Sequence, residues 1–322
     1  MRGISMLLAA LLAALTPTAT LAQQSYPAKP VRLIIPFPPG GSNDVVGRMF
    51  GQQLGDRLGQ SVVIENRGGA GGTIGTDAAA KSAADGHTLL LVSIAYAFSP
   101  AMYKSLPYDP ATAFTAVGPI GAGPVVLVVN PGVPIKTTRE LITFARAKPG
   151  SLRLASAGIG SFQHLAGELF RLQGKAEMLH IPYKGGGPAM TDVLGGHADV
   201  MMGSLIQTIQ HIRTGKLRAL GVSGAKRNAT MPEVPTIAEA ALPEYDATNW
   251  WGVVAPAGTP QGIISRLHAD ITSIVSSAET RKRLESEGAE ALLMSSAEFG
   301  RFMQSETLKW SKVVVEAGMK GE

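Results

Sequence analysis

Apolar residues along this chain come in short runs of two alternating kinds. Runs of three to six residues, most of them rich in Val, Ile and Leu, occupy 31–36, 61–65, 88–92, 124–129, 152–156, 178–182, 200–202, 219–222 and 252–255 and read as strands. Between them, apolar residues at helical spacing fill 45–58, 74–84, 138–147, 163–172, 189–194, 205–214 and 236–241. This alternation predicts an α/β protein with mostly parallel sheets and helices on both faces. Residues 260–318 differ: they read as helical throughout with a break at Gly288, a terminal helical pair folding back on the first half.

Prolines punctuate two of the strands. Pro131 and Pro134 follow the run at 124–129, and Pro256 and Pro260 follow the run at 252–255. If each strand carries the chain across, 26–128 plus 252–322 form one α/β domain and 129–251 form an inserted second one, of ordinary domain size. Two crossings make a hinge, and such a molecule closes on a ligand held between its domains.

The first 22 residues change the picture of where the chain works. Arg2 is a minimal positive start, 6–15 is an apolar run of ten, Pro17 breaks it, and Thr20-Leu21-Ala22 has the small-x-small form of a cleavage site. Ten apolar residues fall short of the roughly 20 that span a bilayer. We therefore read 1–22 as a signal peptide cleaved near Ala22, with a secreted, soluble mature chain. The sequence contains no cysteine, which excludes disulfides, thiolate metal sites and a cysteine nucleophile. Removing Arg2 with the leader leaves 28 basic against 24 acidic side chains, a net charge of +4. With no basic run or basic-aromatic stripe, nucleic acid is not an expected partner.

Candidate chemistry lies in the turns between strands and helices. In Pro36-Phe37-Pro38-Pro39-Gly40-Gly41-Ser42-Asn43-Asp44, the prolines stiffen the chain, the glycines permit positive φ, and Ser42 or Asn43 can cap the helix. Alone, this is first an ordinary capped turn, with Asp44 completing the cap. Its other reading is an anion nest of backbone N–H groups. The same grammar returns at Ser156-Ala157-Gly158-Ile159-Gly160-Ser161 and, less sharply, around Gly71, Gly185 and Ser204. Repetition on both sides of a hinge turns the preference toward the nest. Gly158-x-Gly160 is half a dinucleotide fingerprint, but Gln163 stands where the third glycine belongs and no Walker lysine follows. Ser93 and Ser204 sit at strand C-terminal ends, where open α/β sheets bind ligands.

Catalysis would need a nucleophile, a base and an orienting acid. Ser161, His164 and Asp199 can be offered as a secreted serine hydrolase triad, yet no Gly-x-Ser-x-Gly elbow surrounds Ser161. The six histidines lack metal-ligand spacing. No enzyme activity, metal or cofactor is expected. Trp250 and Trp251 fall beside the second crossing, where they pack the hinge or wall the cleft; since neighbouring strand residues face opposite sides, one belongs to the core.

Together these motifs resemble the substrate-binding proteins of tripartite tricarboxylate transporters, the Bug family. The likeness runs through Pro36 to Gly41 with Asp44 and Arg48, Glu65-Asn66-Arg67 with the glycines 68–72, and Leu106-Pro107-Tyr108-Asp109-Pro110. It continues in Gly160-Ser161 with His164, Pro182-Tyr183-Lys184-Gly185, Gly195-Gly196 with Asp199, and Pro232-Glu233-Val234-Pro235-Thr236. Trp251-Gly252 and Ala255-Pro256-Ala257-Gly258-Thr259-Pro260 close the set. The resemblance implies a periplasmic location, a type II periplasmic binding protein fold, a Venus flytrap of two domains, and no catalysis. The ligand it implies is a small organic carboxylate: a dicarboxylate, tricarboxylate or aromatic acid. The partners are the permease subunits of a tripartite transporter or, as an alternative output, a sensor kinase; such receptors are usually monomers. Carried onto this sequence, the ligand residues are Phe37, Gly40, Gly41, Ser42, Asp44, Ser93 and Ala95 on one wall. Ser156, Gly160, Ser161, Lys184, Gly185, Asp199 and Ser204 form the other. Residues 94–98, Ile-Ala-Tyr-Ala-Phe, are bulkier than the small or polar segment the family has there.

Overall fold

Val31–Ile35 (β1) is buried along its whole length except for Arg32, as a strand covered on both faces must be. In the computed structural model, which describes residues 26–286 and 288–320, β1 pairs in parallel with Val62–Asn66 (β2) and Thr88–Ser93 (β3). A second parallel set joins Arg153–Ser156 (β5) to Leu179–Pro182 (β6) and Val200–Ser204 (β7). Two longer strands connect the sets. Phe114–Val129 (β4) pairs antiparallel with Thr248–Pro256 (β9) over 114–124, and with β7 and Arg218–Val222 (β8) over 125–129. β9 also lies antiparallel to β3, and the short Glu290–Ala291 (β10) pairs with β4. The 1–22 leader lies outside the described residues.

The α/β class stands, but the sheet is more mixed than the apolar runs predict. The first half of β4 is not legible as a strand because Gly118, Pro119, Gly121 and Gly123 interrupt it. The structure accommodates them with register shifts at Ala116/Gly118 and Pro119/Gly121, where a bulge tolerates the missing proline donor.

Helices follow the parallel strands. Ser42–Leu58 (α1) follows β1, Thr73–Ala80 (α2) follows β2, and Ile94–Met102 (α3) follows β3. Thr138–Ala147 (α4) precedes β5, Phe162–Gly174 (α5) follows it, and Gly186–Leu194 (α6) follows β6. Leu205–Arg213 (α7) and Ile237–Ala240 (α8) complete the middle of the chain. Gln261–Ser276 (α9), Ala278–Ser286 (α10) and Ser296–Glu316 (α11) make up the helical tail. No described helix is long and apolar enough to cross a membrane. Residues 94–98 form the start of α3, which the sequence pattern misses. Their bulk turns away from the β3 end: Phe98 is fully buried in the core and Tyr96 donates to the Pro110 carbonyl at 2.6 Å.

Both tryptophans of the second crossing are buried, on opposite faces of β9. Trp250 packs edge-on against Phe299 and Phe302 of α11, and its Nε1 donates to Glu306. Trp251 enters the cluster of β1, β3, α1 and α9, and its Nε1 donates to Asn43 Oδ1 at 2.8 Å. One face of β9 therefore anchors the tail, and the other fixes the first turn of α1.

Candidate functional site

The turn before α1 is tied by its own carboxylate. Asp44 accepts from the Gly40 N–H (3.0 Å), Asn66 Nδ2 (2.9 Å) and Arg48 Nε (2.9 Å). Burial alone would raise the Asp44 carboxyl, but hydrogen bonds from Arg48, the Gly40 N–H and Asn66 outweigh it and hold the group below its usual range. Gly40, at φ +85°, takes the left-handed conformation this tie requires. Asp44 therefore shapes the turn, and Gly41 at the N-cap leaves α1 without a side-chain cap.

Four helix N-termini converge on one cavity of about 30 Å³, room for about two water molecules. Gly41, Ser42 and Asn43 come from α1, Ser93 and Ala95 from α3, Phe162 and Gln163 from α5, and Gly185 and Gly186 from α6. Phe37, Pro38, Ala157 and Asn249 complete the lining, which contains no charged side chain. α1, α3 and α6 have no side-chain cap, whereas α4, α8 and α11, elsewhere in the fold, are capped by Thr137, Thr236 and Ser295. Each N-terminus carries roughly half a positive charge on its unpaired N–H groups. Ser42, Ser93 and Gln163 are over nine-tenths buried, and their side chains have no hydrogen-bond partner among the described residues. The unpaired N–H groups make the cavity electropositive.

Outside the cavity a groove of about 630 Å³ runs past Phe37, Pro38, Ala157 and Gly185, which both spaces share, to Gly71, Tyr103 and Lys184. At its lip, Gly71 and Gly160 approach so closely that a Cβ on Gly160 would lie 3.1 Å from Gly71 Cα and 3.0 Å from Tyr103 Oη.

A family profile described as "Tripartite tricarboxylate transporter family receptor" matches residues 46–319. The chain belongs to this family. BugT of Bordetella pertussis is 41% identical over 304 residues, covering 94% of this chain and 93% of BugT. Among solved structures, R. palustris Rpa4515 with adipate superposes with a TM-score of 0.89 at 33% identity, covering 92% of this chain and 99% of that one. MatC from Rhodopseudomonas palustris with bound malate gives 0.85 at 30% identity, over 90% and 100%. The tripartite tricarboxylate receptors are binding proteins, and this one is a solute-binding protein with their fold, not an enzyme.

Of the residues read from the sequence, this receptor brings Phe37, Gly41, Ser42, Ser93, Ala95 and Gly185 to the cavity. Gly40 supports the turn behind it, Lys184 lines the outer groove, and Gly160 forms the lip. Ser161 caps α5, accepting from the His164 backbone N–H at 3.2 Å. Ser156 is wholly buried, its Oγ accepting from the Gly158 N–H (3.1 Å) and 2.7 Å from His180 Nε2. Ser204 caps no backbone N–H through its side chain and does not line the cavity. Two assignments need correction. Asp44 is bonded within its turn and does not line the cavity. Asp199 lies at the opposite end of β7 from the helix N-termini, bound by Arg153 through Nε and Nη2, each at 2.8 Å. The Ser161, His164 and Asp199 triad is not assembled.

Pro38, Asn43, Ala157, Phe162, Gln163, Gly186 and Asn249 line the cavity without having been singled out as ligand residues. Asn43 and Ala157 were in sight as parts of the two turns, and Gln163 as a departure from the dinucleotide pattern. Asn249 carried no signal, because its place depends on the register of β9 against β3 and β4.

Proposed function

We propose that this receptor captures a small dicarboxylate in the periplasm and passes it to the permease subunits of a tripartite transporter. The observation that carries the reading is the convergence of four helix N-termini on a cavity without a charged side chain. Adipate and malate in the related structures are ligands of the kind such a cavity suits. The family description and the leader-like 1–22 support the transporter partner and the compartment.

A cavity of about 30 Å³ does not admit a dicarboxylate, so the walls separate for entry. The hinge lies where β4 passes from β9 to β7 and where the chain returns into β9. Buried Ser223 links the two crossings: its Oγ accepts from Val125 N–H (2.9 Å) and donates to the Ala247 carbonyl, and its own carbonyl accepts from Ala247 N–H (2.9 Å). These bonds hold the crossings together while the flanking blocks rotate. Closure places the ligand between α1 and α3 on one wall and α5 and α6 on the other, away from bulk water. Low local polarity then strengthens each N–H to carboxylate bond.

Isothermal titration against di-, tri- and monocarboxylates and aromatic acids tests the reading; silence across the panel from folded protein would refute it. Ser161→Asp sharpens the test. Aspartate still caps α5 but adds a negative charge at the anion wall, and dicarboxylate affinity should fall at least about tenfold. Unchanged affinity would remove the α5 terminus from the site. Uptake of the bound acid, lost on deleting the receptor and restored by the full chain, tests delivery.

A further inference from the structure

We infer that His180, which does not line the cavity, is the positioning residue of the α5 wall: its ring holds both ends of segment 156–164 and so sets where the α5 donors point. The inference rests on the binding reading above and goes beyond the identity of the bound acid. His180 stands on β6 with Leu154 of β5 as its register partner, and Ser156, two residues further along β5, lies on the same face. His180 Nε2 is 2.7 Å from Ser156 Oγ. The same ring stacks on His164 in the first turn of α5, with 4.2 Å between centroids and the planes 3° from parallel. Between these two holds runs the turn that brings Ala157, Phe162 and Gln163 to the cavity.

Ser156 is wholly buried, and its Oγ already accepts from the Gly158 N–H at 3.1 Å. Its one hydroxyl hydrogen needs an acceptor, and among the described residues His180 Nε2 is the one within reach. The hydroxyl therefore donates to Nε2, which assigns the His180 proton to Nδ1. Burial lowers both imidazoles, so the stacked pair is neutral at pH 7 and the acceptor persists. With the hydroxyl held, Gly158 keeps its place, and its carbonyl accepts from the N–H of Ser161, the α5 cap, at 3.1 Å. The far end of the segment is held by packing. His164 Nδ1 is buried without a hydrogen-bond partner among the described residues, so that nitrogen does not locate the ring and the face of His180 does.

Two measurements on the unliganded protein come first. Nitrogen NMR should find His180 protonated at Nδ1 and bare at Nε2; the opposite tautomer overturns the inference. Amide exchange at Gly158 and Ser161 should quicken by at least about fivefold in His180→Leu, which removes both the acceptor and the stacked ring. It should slow again in His180→Gln, which returns an acceptor near the Nε2 position; unchanged exchange in His180→Leu overturns the inference. Titration calorimetry with adipate and with malate then reads the wall itself. Whichever acid binds the wild type should bind His180→Leu at least about fivefold more weakly, with part of the loss recovered in His180→Gln. Affinity within twofold of wild type in His180→Leu, or no recovery in His180→Gln, overturns the inference. If neither acid binds while the tautomer and the exchange behave as expected, the carboxylate reading fails and the positioning role stands. Should His180→Leu not fold, Ser156→Ala removes the donor of the same bond and carries the same expectations.

Discussion

Adding one methyl group at the lip of the cleft tests whether closure produces affinity. In Gly160→Ala, the new Cβ would lie 3.0 Å from Tyr103 Oη and 3.1 Å from Gly71 Cα, both across the cleft. Ordinary contacts settle at about 3.5–4.0 Å, so the lips must part by roughly half an ångström. Overpacking of this kind costs about 1–2 kcal/mol at the lower end of its range. If the bound state keeps these lip contacts, the cost falls on that state, which predicts a dissociation constant about 5–30 times larger. Gly160 is also at φ +76°, and alanine there costs about 1 kcal/mol whether the cleft is open or shut. That part should appear in denaturant unfolding of the unliganded protein and leave binding untouched. Tyr103→Phe removes one of the two contacts, so the double variant should recover part of the lost affinity. Calorimetric titration with the cognate acid, paired with urea unfolding, separates the terms. Affinity within twofold of wild type, in a protein that shows the expected stability loss, would refute the closing-clamp argument.

Two further outcomes are expected away from the lip. Asp199→Asn breaks the paired hydrogen bonds to Arg153, whose guanidinium holds the Asp199 carboxyl below its usual range. Stability in urea should fall by about 1 kcal/mol at this partly exposed pair, with ligand affinity unchanged; an affinity loss without a stability loss would return Asp199 to the site. His164 is stacked 4.2 Å from His180, and burial, then the His180 charge, lower it from 6.5 to about 3. Its folded value lies below its unfolded one, so between those limits the unfolded chain binds the proton and the folded one does not. Stability should therefore decline as pH falls from about 6.5 toward 3, and His164→Gln should flatten the decline in urea midpoints at pH 7, 5 and 4. Equal slopes for the two proteins would show that His164 is not the group responsible.

The elements legible in the sequence are those whose apolar faces are continuous. β1, β3 and the helices after β1 and β5 announce themselves because their residues are buried over whole strands or one full helix face. α3 was missed because Ala95, Ala97 and Phe98 are all buried, which erases the polar side that would mark a helix. The first half of β4 was missed because glycine and proline break its run, and only pairing with β9 makes it a strand. The site follows the same division. Turn chemistry identifies Gly41, Ser42 and Gly185, since such turns expose backbone donors. Asp44 and Asp199 misled because a carboxylate beside a glycine turn looks the same whether it faces a ligand or a neighbouring arginine. Only the positions of Arg48 and Arg153 distinguish the two.

That division bears on how a binding wall can be read from a chain of this type. Three helix N-termini away from the cleft spend a donor on a side chain: α4 at Thr137, and α8 and α11 through the capping boxes of Thr236 with Glu239 and Ser295 with Glu298. At α1, α3 and α6 the cap is glycine, or a serine whose hydroxyl does not turn back. An absent cap is not sufficient, since Ser204 also leaves α7 uncapped and lies outside the cavity. What the four termini at the cavity share is a parallel strand leading into each. α1 and α3 meet this condition through β1 and β3, and α6 through β6; α5 meets it through β5 while keeping a cap. Ser161 satisfies only the His164 N–H, so the N–H groups of Phe162 and Gln163 stay available to a ligand. In the proposed function, recognition therefore rests on donors that side-chain substitution cannot remove. In the proposed site, discrimination is left to the side chains between those donors, among them Asn249, which has no motif around it.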